Sequence, residues 1–262
     1  MTLLKRAVDG LRRKAPTPFQ VYSIGVLAGS NPLSLSEPHP SANPVLTASD
    51  VSDRDAAFVA DPFMLKVDGM WHMFFEVMLS SPLKGVIGWA TSPNGLAWQY
   101  EQVVLEEPYH LSYPHVFACN DEFFMVPETQ EMSAVKLYRA RKFPTEWHLV
   151  RNLLLGSPYS DSTLYEHDGT WFLFTETNPH YRSDTLRLYF SHNLHGAWHE
   201  HPQSPIVQWR PPSRPTCWQD RPNTQRDREA CSGLRWSIRY FRGTVPRRRT
   251  QPRSICRAQG WN

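Results

Sequence analysis

The sequence lacks any run of 18 consecutive apolar residues, which excludes a membrane-spanning helix of ordinary length. It has four cysteines, too few and too scattered for a disulfide framework, and no Cys-x-x-Cys pair that would hold zinc. Its 13 glycines form no phosphate-cradling loop, and no Ser-His-Asp arrangement stands out. The opening stretch MTLLKRAVDGLRRK lacks the apolar core and small-residue cleavage site of a secretory signal. It reads as a short surface helix, with contact to a membrane surface as the alternative. These absences point to a cytoplasmic location without cofactor or structural metal.

The last stretch of the chain, after Gln208, holds arginine but no lysine. From Trp209 to Asn262 there are 13 Arg and three acids, a net of +10. The preceding 208 residues carry 15 basic and 22 acidic side chains, a net of −7, so the overall +3 conceals two chemistries. The last stretch also holds three of the four Cys, four Trp and six Pro, and neither a strand nor a helix period survives in it. Three readings compete: a basic disordered tail, an irregular folded extension, and out-of-frame translation of GC-rich coding DNA. True basic tails mix Lys with Arg and avoid Trp and Cys, so the frameshift reading is favoured. On that reading the charge implies no nucleic-acid partner. The organisation is then a basic segment over 1–18, a β domain over 19–208 and an aberrant tail over 209–262.

The β domain repeats. ADPFMLKVDGMWHMFFE runs to Glu76, SYPHVFACNDEFFMVPE to Glu128 and DSTLYEHDGTWFLFTE to Glu176. Counted from Asp61, Tyr113 and Asp161, each unit is 16 residues long, and the starts are 52 and 48 residues apart. Each has aromatic and β-branched runs around a polar pair, read as Asp68-Gly69, Asp121-Glu122 and Asp168-Gly169. A second strand pair follows each hairpin and ends at Trp98, Trp147 or Trp198, spaced 49 and 51 residues apart. Four short strands at a period near 50 make a propeller blade. The fold expected is therefore an all-β propeller, incomplete after about three blades. Phe19 to Leu27 reads as one further strand, and Ala28 to Ala60 as a Pro/Ser-rich surface crossing.

A hairpin returns its first and last residues to the same end, so Asp61 and Glu76 share a channel mouth with Tyr113 and Glu128 and with Asp161 and Glu176. Convergent carboxyls suit glycosyl chemistry, in which one protonates the leaving oxygen, a second activates water or attacks, and a third tunes the acid. Asp61, Asp161 and Glu128 are the catalytic candidates. Asp61 also suits a cap on a strand-start turn, and Asp161 an Asx-turn. Glu128, behind Pro127 at the close of an apolar strand, is out of place as a strand residue. Glu76, Glu176, His110, Tyr113, His115 and Trp171 are substrate-contact candidates, although repeated carboxyls and aromatics such as Trp71 and Trp171 also serve structure. His195, His199 and His201 have metal-like spacing, but a solvated face beside Trp198 is the better reading.

The stretches Ala60-Asp61-Pro62-Phe63, Glu106-Glu107-Pro108-Tyr109-His110-Leu111-Ser112-Tyr113-Pro114, Val126-Pro127-Glu128-Thr129 and Asp161-Ser162-Thr163 carry a resemblance. They resemble the five-bladed propeller domain at the N-terminus of plant glucosamine inositolphosphorylceramide transferases. Bacterial relatives of that domain occur alone or beside formyltransferase-like domains. It is similar in turn to the family-43-type glycoside hydrolases, and the match covers residues 19 to 207. The resemblance implies a carbohydrate-active propeller with Asp61 as general base and Asp161 as the pKa-modulating Asp. The hydrolase acid would come from the next part of the ring, at or beyond the altered segment, unless Glu128 substitutes. The implied partners are a glycan or sugar-containing molecule and a separate transferase. The alternative is a glycan-binding propeller without catalysis. With the ring interrupted, little activity is expected of the chain as written.

Overall fold

The structure, a computed structural model, describes residues 21–208 apart from 32, 39–42 and 178–183. The basic segment expected over 1–18 and the tail expected over 209–262 lie outside the described residues.

After a small pair, β1 (Ala28–Gly29) with β2 (Leu35–Ser36), come three antiparallel sheets whose strands pair in chain order. The first holds β3 (Ala56–Val67), β4 (Met70–Leu79), β5 (Gly85–Ser92) and β6 (Gln99–Leu105). The second holds β7 (Ser112–Cys119), β8 (Glu122–Glu128), β9 (Ala134–Lys142) and β10 (Glu146–Leu155). The third holds β11 (Ser160–His167), β12 (Thr170–Glu176), β13 (Thr185–Ser191) and β14 (His199–Glu200), with β15 (Val207–Gln208) also on β13. The first strands stand side by side, β3 against β7 and β7 against β11. Four-stranded sheets arrayed this way are propeller blades. Three blades are present among the described residues; the expected count of five is not reached there.

The inner hairpins turn at Asp68-Gly69, Asn120-Asp121 and Asp168-Gly169, each pair at positive φ. That is the mirror-image turn matching strand twist, and Asn, Asp and Gly tolerate it best. The second turn is thus one residue earlier than the expected Asp121-Glu122. Glu122 opens β8, and Asn120 takes the left-handed position.

The recurring Trp closes the outer turn of each blade. Trp98, Trp147 and Trp198 donate their indole N–H to the carbonyls of Gly95 (3.1 Å), Pro144 (2.8 Å) and Leu194 (3.4 Å). Each ring thereby packs its apolar body while its one polar atom is satisfied.

Apolar residues alternate along the strands and fill the seams. Leu65, Phe74 and Ile87 of the first blade meet Val116, Met125 and Tyr138 of the second. Phe117, Phe124 and Val126 of the second meet Leu164, Trp171 and Leu173 of the third. The equivalent forward face of the third blade is more open, with Tyr165 42% exposed and Phe172 and Phe174 half-buried. The rear of the first blade is covered by Ile24, Leu46 and Val51. Of the strand expected over Phe19 to Leu27, residues 19 and 20 lie outside the described residues, and the described part holds a single bridge, between Ile24 and Leu46. Two residues on, the Asn43 amide stands in for a strand partner, accepting the Val26 N–H at 2.7 Å and donating to its carbonyl at 2.9 Å. Cys119 is disulfide-bonded, which its scattered spacing gave no sign of.

Candidate active site at the channel mouth

The three inner hairpins carry the same irregularity. Ala60 faces Glu76 but Phe63 faces Phe74; Ser112 faces Glu128 but His115 faces Val126; Ser160 faces Glu176 but Thr163 faces Phe174. Each first strand therefore bulges by one residue, at Asp61-Pro62, Tyr113-Pro114 and Asp161-Ser162. The leading residue of each bulge is left-handed, with φ of 51°, 45° and 50°. A non-glycine there is uncommon and costs about 1–2 kcal/mol, and bulges characteristically re-aim a side chain beside a functional site. The same strained turn in three consecutive blades brings Asp61, Tyr113 and Asp161 to one mouth.

Their partners are shared across the seams. The Asp61 carboxylate accepts the backbone N–H of Tyr113 from the next blade. Glu128 Oε2 accepts the N–H of Asp161 at 3.1 Å, again from the next blade. The Tyr113 hydroxyl pairs with Thr163 Oγ1 at 3.0 Å, and its ring stands edge-on to Phe63 with centroids 4.8 Å apart. Four carboxyls from three blades thus lie within range of one another's charge.

Burial and this crowding set their protonation. Asp61 is raised to about 6, chiefly by burial and then by the charge of Asp161, against the Tyr113 N–H. Glu76, 5% exposed, is pushed up to about 8 by burial and then by Asp61, Glu128 and Asp161. Burial and then the Asp161 charge also raise Glu128. Burial raises Asp161 as well, but a hydrogen bond from Glu128 eases it. Asp161 is the carboxyl most open to solvent.

A family model described as "Glucosamine inositolphosphorylceramide transferase 1, N-terminal" matches residues 17–214. The chain belongs to this family. Glucosamine inositolphosphorylceramide transferase 1 of Oryza sativa subsp. japonica is 36% identical over 205 residues, covering 71% of this chain and 27% of that protein. The Arabidopsis thaliana protein of the same name is 32% identical over 203 residues, covering 71% of this chain and 26% of its own. The chain therefore spans about a quarter of the length of these curated relatives. Among solved structures, the GH43 protein BlXynB of Bacillus licheniformis has a TM-score of 0.52 at 16% identity, covering 65% of this chain and 35% of that one. The fold is thus a glycoside hydrolase-like β-propeller, in a family associated with glycosyl transfer.

Within that fold the structure sorts the residues picked out from sequence. Asp61, Glu76, Tyr113, Glu128 and Asp161 come together. Glu176 closes the third hairpin opposite Ser160 at the same end. His110 reaches the group from the β6–β7 connection, with Nε2 at 3.4 Å from Glu76 Oε1. His115 does not reach the mouth. It is buried in the seam, with Nε2–H donating to the Leu164 carbonyl at 3.1 Å, and desolvation pushes it down to about 4. Trp171 is also misplaced as a mouth residue. It pairs with Glu166 near the turn of its hairpin and packs on Phe117, five residues from Glu176 along β12 and so about 17 Å away. His195, His199 and His201 form no metal-holding group; none was found among the described residues. Gly85 was missed. Its N–H donates to His110 Nδ1 at 2.9 Å, a role that only the fold reveals. Among the described residues no helix is long and apolar enough to cross a membrane.

Proposed function

We propose that the mouth acts on a glycosidic bond, with Asp61 as general base, Glu128 as general acid and Asp161 tuning both. The observation that carries this reading is the meeting of carboxyls from three blades at one end of the inner hairpins, with Glu128 bonded to the Asp161 N–H. At neutral pH a group near 6 is ionised, whereas Glu128 keeps its proton beside Asp161. Two carboxyls held in opposite states by their surroundings are what general acid–base cleavage of a sugar acetal requires. Glu128 donates its proton to the leaving oxygen while Asp61 takes one from the incoming nucleophile. Asp161 raises Glu128 and Asp61 through its charge, so one residue sets the working pH of both. Tyr113, bonded through its hydroxyl and braced by Phe63, offers a fixed aromatic face for a sugar ring.

A second reading is favoured by the names of the relatives. The chain corresponds to about a quarter of relatives named as transferases. In this reading the mouth binds a glycan and presents it to a partner transferase without turnover. A panel of aryl glycosides assayed with the full chain, with Asp61→Asn and with Glu128→Gln separates the two. Catalysis predicts turnover that falls at least about 100-fold in either variant. Glycan binding with no turnover in any of the three would overturn the hydrolase reading and support the binding one.

A further inference from the structure

We infer that His110 is a positioning residue for Glu76, holding its carboxyl at the mouth through a neutral imidazole of fixed tautomer. This deepens the reading of the mouth given above, but its test does not depend on turnover.

Gly85 is the first residue of β5. Its backbone N–H donates to His110 Nδ1 at 2.9 Å. A nitrogen that accepts a hydrogen bond carries no proton, so the ring proton is on Nε2. Nε2 lies 3.4 Å from Glu76 Oε1, so its N–H is the polar group nearest that oxygen from the connection. Protonating His110 would set a second donor against the Gly85 N–H, so the contact is a neutral donor to a carboxyl and not an ion pair. Burial lowers His110 in the same direction.

The backbone around this contact leaves no slack. Leu111, fully buried, donates its N–H to the Gly85 carbonyl at 3.0 Å. A Cβ added at Gly85 would lie 2.2 Å from the Leu111 carbonyl oxygen, 2.7 Å from His110 Cε1 and 2.9 Å from Glu76 Oε1. A glycine is therefore required where β5 approaches the β6–β7 connection. Upstream, Lys84 ties the same connection down through Glu106 Oε1 at 3.1 Å and the Glu107 carbonyl at 2.8 Å.

The groups facing Glu76 are Asp61 from β3, Glu128 from β8, Asp161 from β11 and His110 from the connection. Three are acids and repel a charge on Glu76. His110 alone among them supplies a donor. It stands on the Oε1 side of the carboxyl.

The test is carboxyl and imidazole NMR of the full chain. Imidazole nitrogen shifts should report Nε2–H with unprotonated Nδ1 at His110. The Glu76 carboxyl midpoint should rise, by up to about one pH unit, in His110→Ala, since a nearby N–H dipole favours the charged form. His110→Gln, whose amide N–H can replace the donor, should restore most of the shift. An Nδ1–H tautomer in the unmodified chain, which needs no variant to fold, would overturn the inference. So would a Glu76 midpoint that ignores the alanine change. Absence of glycoside turnover alongside the expected shifts would count against the hydrolase reading and leave this contact standing.

Discussion

Replacing Glu76 by Gln should make the protein more stable as the pH rises. Glu76 is 5% exposed and titrates near 8 in the folded protein, against an ordinary 4.5. A carboxyl raised on folding stabilises fully below its unfolded value, and that contribution is lost as pH rises towards the folded value. The window here runs from 4.5 to about 8. By pH 7 the accumulated loss approaches about 3 kcal/mol at 1.36 kcal/mol per unit, as an upper limit because neighbouring acids titrate over part of the same range. Glutamine keeps an acceptor for His110 and removes the charge. Urea unfolding of the full chain and of Glu76→Gln at pH 5, 6, 7 and 8 reads the effect directly. The variant's advantage should be small at pH 5 and grow steadily to pH 7. An unpartnered amide hydrogen would add a constant offset and leave this slope untouched. A difference that stays flat across the range would refute the claim that Glu76 is buried and carries its proton at neutral pH.

Other expectations follow from the same geometry. Gly85→Ala forces a Cβ to within 2.2 Å of a backbone oxygen and should cost about 1–3 kcal/mol in urea unfolding. Asp161→Asn removes a charge that raises Asp61 and Glu128, so both carboxyl midpoints should move down in NMR titration, as should the acid limb of any pH–rate profile. Asp161→Gly should relieve a left-handed strain of about 1 kcal/mol, visible as reduced loss relative to Asp161→Ala in unfolding, while abolishing turnover.

Much of the architecture was legible because each blade is specified locally. Asp-Gly turns, a closing Glu and a Trp that caps the outer turn are all short-range features, and short-range features survive in a linear reading. The paired ends of the hairpins followed from antiparallel geometry alone, and Asp61, Glu76, Glu128 and Asp161 do lie together at that end. What the sequence hid was direction across the seams. His115 sits two residues from Tyr113, yet the bulge between them sends one to the mouth and the other into the interior. Trp171 has the composition of a sugar platform, but it stands at the wrong end of its strand. The second turn was misread because Asn120 takes a left-handed position that Glu122 would resist. Gly85 could not be found at all, since its importance lies in a neighbour 25 residues away.

The carboxyls at the mouth have two employments. Asp61 and Glu128 each receive an amide from the following blade, so the groups proposed to handle protons also fasten one blade to the next. A lineage that gave up chemistry and kept only binding would still be under pressure to retain them, because removing either would loosen a seam. Persistence of these acids among relatives is therefore a weak sign of catalysis. The converse is more informative: a relative with amides at both positions would keep its seams and lose its acid and base, and would identify itself as a binder.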